Sequence, residues 1–108
     1  MSIGYATPPV KLIDLGTSGD TIVFDVRRAA IASFQGVAIT GAWSTAVVTL
    51  YASQDGANTG TTLGTIAASG GDVRGIDVTQ DAYVIARVTT ALGSSVLARV
   101  TASLKASE

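Results

Sequence analysis

Hydrophobic residues in this chain recur at every second position, in short runs that end at clusters of glycine, aspartate and serine. Period two puts alternate side chains on opposite faces, so each run reads as a β-strand with one apolar face. In the run 96–105, Val96, Ala98, Val100, Ala102 and Leu104 form one face, and Leu97, Arg99, Thr101, Ser103 and Lys105 form the other. In 21–26, Ile22, Phe24 and Val26 share a face. In 31–40, Ile31, Val37 and Ile39 have one parity, and Phe34 and Ala38 the other. In 46–53, Val48, Leu50 and Ala52 oppose Val47, Thr49 and Tyr51. Further runs cover 10–15, 61–68, 75–78 and 82–90. A helix over 25–34 competes, with Asp25 as its cap and Val26, Ala30 and Phe34 at helical spacing. The segment is short and lies between β patterns, so strand is the reading adopted.

About eight short strands separated by turns predict an all-β fold, a two-sheet antiparallel β-sandwich of jelly-roll-like type. A chain of 108 residues has room for one core. Pro8 and Pro9 exclude helix at the start, so residues 1–9 read as an extended N-terminal arm and 10–108 as a single β-sandwich domain. Residues 1–9 contain neither a basic stretch nor an apolar core of the kind a secretion signal needs. No segment approaches the length of a membrane helix, and no membrane partner is expected.

Chemistry is constrained next. There is no Cys and no His, and the formal net charge is −1. That removes thiol nucleophiles, disulfides, Cys/His zinc sites and imidazole bases. Nucleic acid is not an expected partner, because tracking phosphates needs clustered positive charge. No Asp-Thr/Ser-Gly pair or phosphate-loop motif occurs. Asp77 and Asp81 flank a tight turn, with little room for a sugar cleft. Asp55 and Asn58 share one loop and Asp72 lies in another, but Asp and Asn in such loops are chiefly turn formers. No enzyme activity, cofactor or metal is therefore expected.

Ala, Gly, Ser and Thr supply 53 of the 108 residues, and only 14% are charged. Average domains carry about 25% charged residues. A surface of small neutral side chains suits contact with other protein, since little charge must be desolvated and little rotamer entropy is lost. The run 46–53 is apolar or β-branched on both faces, which predicts that its outer face is solvated or covered by a partner. Phe24 and Phe34 are expected in the core, and Trp43 at its edge. The Tyr83 ring is expected to pack inward as in a tyrosine corner.

From Phe24 to Leu104 the sequence resembles the small β-sandwich virion proteins of tailed bacteriophages. The resemblance lies in Asp25, the alternating run 31–40, Gly41-Ala42-Trp43, the strand 47–52, Ser53-Gln54-Asp55-Gly56, the short run 75–78, Tyr83-Val84-Ile85-Ala86-Arg87-Val88 and the closing run 96–104. Such proteins often carry a Trp soon after the Asp-Gly turn, where this chain has Ala57-Asn58-Thr59. The resemblance implies a phage particle component, foremost a capsid decoration (cement) protein. Its partners would be the major capsid protein or another virion shell protein, together with self-association. It would sit on the capsid surface of a virion assembled in the host cytoplasm. A head- or tail-fibre module that attaches to host surface glycans is the alternative. The candidate partner contacts are Ile3, Tyr5, Pro8 and Pro9 of the arm and Asp55 and Asn58 of the loop 54–60.

Overall fold

The computed structural model describes residues 4–7 and 12–106, with side chains described from residue 12 onward. The described strands are β1 (Gly4–Thr7), β2 (Ile13–Asp14), β3 (Thr21–Asp25), β4 (Ile31–Ala38), β5 (Val47–Ser53), β6 (Thr62–Ile66), β7 (Asp72–Asp77), β8 (Tyr83–Thr90) and β9 (Leu97–Lys105). They form two antiparallel sheets. In one, β9 lies between β4 and the edge formed by β1 and β2, and β7 closes the other edge. In the other, the order is β3-β8-β5-β6. Only β5 and β6 are joined as neighbours within a sheet; every other link from β2 to β9 crosses between sheets, giving a jelly-roll-like winding. The segment 25–34 is strand, turn and strand, so the helical spacing of Val26, Ala30 and Phe34 is coincidental.

Alternation places the core. Ile22, Phe24, Val48, Leu50, Val84, Ala86 and Val88 point inward from one sheet, and Ala32, Phe34, Ala98, Val100, Ala102 and Leu104 from the other. Phe24 and Phe34 meet edge-to-face between the sheets, with ring centroids 5.3 Å apart. Trp43, in the β4–β5 crossover, is buried and donates its Nε1–H to the Ala46 carbonyl at 2.8 Å. Its ring lies against Gly36, where a Cβ would come within 2.6 Å of the indole.

Three expectations change. The run 75–78 is longer: β7 starts at Asp72, which already pairs with Gln35. Gly75 sits inside it at φ 66°, in a bulge where Arg74 and Gly75 oppose Ser33, and only glycine takes that conformation without strain. Tyr83 does not pack inward; Val84 takes the inward position and Tyr83 faces out from β8. Within the expected arm 1–9, residues 4–7 pair with Ala102–Lys105 of the domain's own sheet. Ile3, Pro8 and Pro9 lie outside the described residues.

Candidate functional site

The topology collects the links 25–31, 53–62 and 77–83 at one end of the sandwich. Asp25, Arg27, Arg28, Asp55, Asp77, Asp81 and Lys105 all lie there. The opposite end is built from 14–21, 38–47, 66–72 and 90–97, and Asp14, Asp20 and Asp72 are its acidic residues. Its loops are held together by Asp14, whose carboxylate accepts from the Gly16 amide at 2.9 Å and from the Ser95 hydroxyl at 3.0 Å. Those bonds lower the Asp14 pKa. Gly16 is required for this approach, since a Cβ there would meet the Ser94 carbonyl oxygen.

Asp55 and Asn58 belong to the loop at the charged end. Asp55 accepts from the Ala57 and Asn58 amides, each at 2.8 Å, and from Asn58 Nδ2 at 2.6 Å. These donors hold its carboxyl well below the ordinary carboxylate range. Ser53, beneath the loop, links to the Asn58 carbonyl at 2.7 Å and accepts from the Gly56 amide at 3.0 Å. The Asp55–Asn58 pair therefore shapes the loop. Among the described residues no group of three or more acidic side chains could hold a metal ion. The end of β9 that pairs with Gly4 lies at this same end of the molecule, but on the opposite sheet from the Asp55 loop. Tyr5 is placed at the register of Leu104.

The two outer faces differ. On the β3-β8-β5-β6 sheet, Ile85 is fully buried between Val23 and Tyr51 in its row, and Thr49 is only 7% exposed. The loop after β5 folds over this face: a Cβ on Gly56 would lie 3.5 Å from the Tyr83 ring and 3.6 Å from Val23. The Arg27 guanidinium stands 5.4 Å above the same ring while pairing with Asp25 at 2.6 Å. Thus the outer face of β5 is largely covered by the chain itself rather than left for a partner. On the other sheet, β4 presents Ile31, Val37 and the following Ile39 at 37%, 39% and 46% exposure. Between them lie Ser33 and Gln35, beside Thr101 and Ser103 of β9, around a shallow depression of ≈ 300 Å³. Asp72 and Arg74 of β7 line the depression as well; β4 itself is uncharged, with exposed apolar residues toward both ends, and has the character of a contact surface. Parity had grouped Ile31, Val37 and Ile39, but nothing in the sequence marked their face as the uncovered one.

No protein-family model matches the sequence, and no curated protein sequence matches it. The fold recurs in solved structures. The SPBc2 prophage-derived protein YomS superposes with TM-score 0.65 at 8% identity, over 98% of this chain and 96% of that one. The PBSX exported protein XepA gives TM-score 0.60 at 9% identity, over 98% of this chain and 38% of that one. A family two carbohydrate esterase from Cellvibrio japonicus gives TM-score 0.60 at 8% identity, over 99% of this chain and 35% of that one. This chain thus spans well under half of the latter two proteins, and all three likenesses are likenesses of fold.

Proposed function

We propose that this chain is a non-enzymatic structural component of a phage particle, a capsid decoration (cement) protein that binds the assembled head shell. The observation that carries the reading is the sandwich shared, nearly end to end, with the prophage-derived protein YomS. The neutral surface of small residues and the exposed strip on β4 support it. Stabilisation would arise by mass action: a subunit that binds only the assembled lattice lowers the free energy of that lattice, and many symmetric copies make modest contacts collectively strong.

The test uses head shells from the phage or prophage that encodes the chain, prepared with its gene deleted. Added protein should co-sediment at a fixed ratio to the major capsid protein and raise the temperature at which shells come apart. Absence of co-sedimentation at micromolar protein overturns the reading.

The glycan-binding alternative needs exposed aromatic rings to stack on sugars. Phe24, Phe34 and Trp43 are buried. Tyr51 and Tyr83 are half-buried, and Tyr83 is overlaid by Arg27 and approached by the Gly56 loop. Among the described side chains, these rings favour the shell-binding reading over the alternative.

A further inference from the structure

The outer face around β4 has an uncharged centre, a cationic flank on β9, and a flank on β7 that carries two aspartates and one arginine. On the β9 side, Lys105 lies across from Ile31 and Arg99 across from Val37. On the β7 side, Asp77 lies across from Ile31 and Asp72 across from Gln35. Neither Arg99 nor Lys105 has an ion-pair partner among the described residues. Arg74 pairs with Asp72, yet its side chain is 82% exposed and stands at the β7 rim of the depression over Ser33.

We infer that this face is the contact between two copies of this chain, related by a twofold axis running along β4. The inference deepens the self-association expected of a particle component. A twofold axis in that direction lays the β7 of each copy over the β9 of the other. Lys105 then faces Asp77 of the second copy, because both lie in the row of Ile31. Arg99 comes within one same-face step of the second copy's Asp72. Arg74 is carried over Ser103 and into the depression, one same-face step from the second copy's Lys105, and its charge is offset there by its own partner Asp72. An axis running across the strands does the opposite, setting cationic flank on cationic flank and acidic on acidic.

The centre is uncharged and the charges lie at the rim, the arrangement of specific protein contacts. An axis along β4 overlaps only β9, β4 and β7, because β1 and β2 fall beyond the second copy's edge strand β7; eight residues of β4 at roughly 3.3 Å rise and three strands at roughly 4.8 Å spacing give a face of about 380 Å². Two such faces total about 760 Å², the size of a weak or transient contact rather than a standard interface. A durable contact therefore depends on the charge pairs being correctly matched.

The experiment is sedimentation velocity on the isolated chain, so shell binding plays no part in it. The native chain should dimerise with a dissociation constant that rises with salt. Val37→Lys sets two like charges face to face near the axis and should leave a folded monomer. Lys105→Asp should weaken the dimer about tenfold at low salt, and adding Asp77→Lys should restore it. Asp77 also accepts from the Thr79 amide and hydroxyl, so a circular-dichroism melt confirms that each variant folds. The chain has no cysteine, so Gln35→Cys places a single thiol opposite its own image. Facing sheets lie about 10 Å apart, beyond direct disulfide reach, so a short bis-maleimide should link the two copies. A chain that stays monomeric up to about 1 mM overturns the inference. So does a dimer indifferent to Val37→Lys, a failure of the Gln35→Cys variant to cross-link, or a dimer tightened by Lys105→Asp, which would mean β9 on β9.

Discussion

On the β3-β8-β5-β6 sheet the outward residues Ile85, Thr49 and Ser53 are buried by the chain itself, whereas on the other sheet the outward residues Ile31 and Val37 of β4 remain open to solvent. Both faces arise from the same alternation. The difference lies in what stands beside the central strand. Ile85 has Val23 and Tyr51 across its row, with Tyr83 and Arg87 two positions away along β8, and in that setting it is fully buried. Ile31 has Lys105 and Asp77 across its row and Val37 has Arg99, charged side chains whose heads stay in water rather than close over an apolar neighbour. One sheet closes the centre of its outer face within the chain and leaves only Val23, on its edge strand β3, 45% exposed; the other leaves Ile31 and Val37 of an interior strand open to solvent.

The sharpest way to break this comparison is to truncate an outward residue on each sheet. Ile85→Ala should cost about 2–4 kcal/mol, as a core deletion does, although Ile85 lies outside the core between the sheets. Val37→Ala should stay within about 0.5 kcal/mol. Urea unfolding of the two variants reads the difference, and equal losses would mean that both outer faces are equally exposed. A second contrast sits within β4 itself. Gly36→Ala drives a Cβ into the Trp43 ring and should cost about 1–3 kcal/mol, one residue away from the tolerant Val37; loss of the near-ultraviolet signal of Trp43 would accompany it.

A smaller effect tests the polar part of the covered face. Thr49 and Thr89 share a hydroxyl hydrogen bond of 2.7 Å. Thr49→Val keeps the shape and removes the bond, for a loss of about 1 kcal/mol in the same denaturation assay. The smallest effect is local and depends on pH. The amide donors that depress the Asp55 carboxyl bind its charged form, so their contribution is complete above the ordinary carboxylate pKa of about 3.9 and fades as pH falls below it. Hydrogen exchange at the Ala57 and Asn58 amides should lose protection on acidification, before the β8 amides do. Retained protection in acid would show that the loop over Tyr83 is held by something other than Asp55.

Period two was enough to find every described strand but β1, which lies in the expected arm, and most of the core. Phe24, Phe34, Val48, Leu50, Val84 and Val100 face inward as their parity requires, because a strand has only two faces and a sandwich core accepts only one of them. The turns were equally legible, apart from 69–72, where Asp72 carries turn chemistry and yet pairs in β7. Tyr83 misled because a large ring suggests burial, while its parity, set by Val84, sends it outward. The Asp55 loop was visible as a turn, but a sequence does not show that its carboxylate is already satisfied by amides two and three residues on.

What the sequence by itself determined is most of the strands, the membership of their faces and the absence of thiol and imidazole chemistry, since these follow from local periodicity and from which side chains exist. What only the tertiary structure decided is which neighbours each face receives. The pairing of β8 with β3 and β5 sets Ile85 between Val23 and Tyr51, whereas the pairing of β4 with β9 and β7 puts Arg99 beside Val37 and places Lys105 and Asp77 on opposite sides of Ile31. Those pairings join residues far apart in the chain, so no local pattern encodes which face is covered or how its charges are laid out.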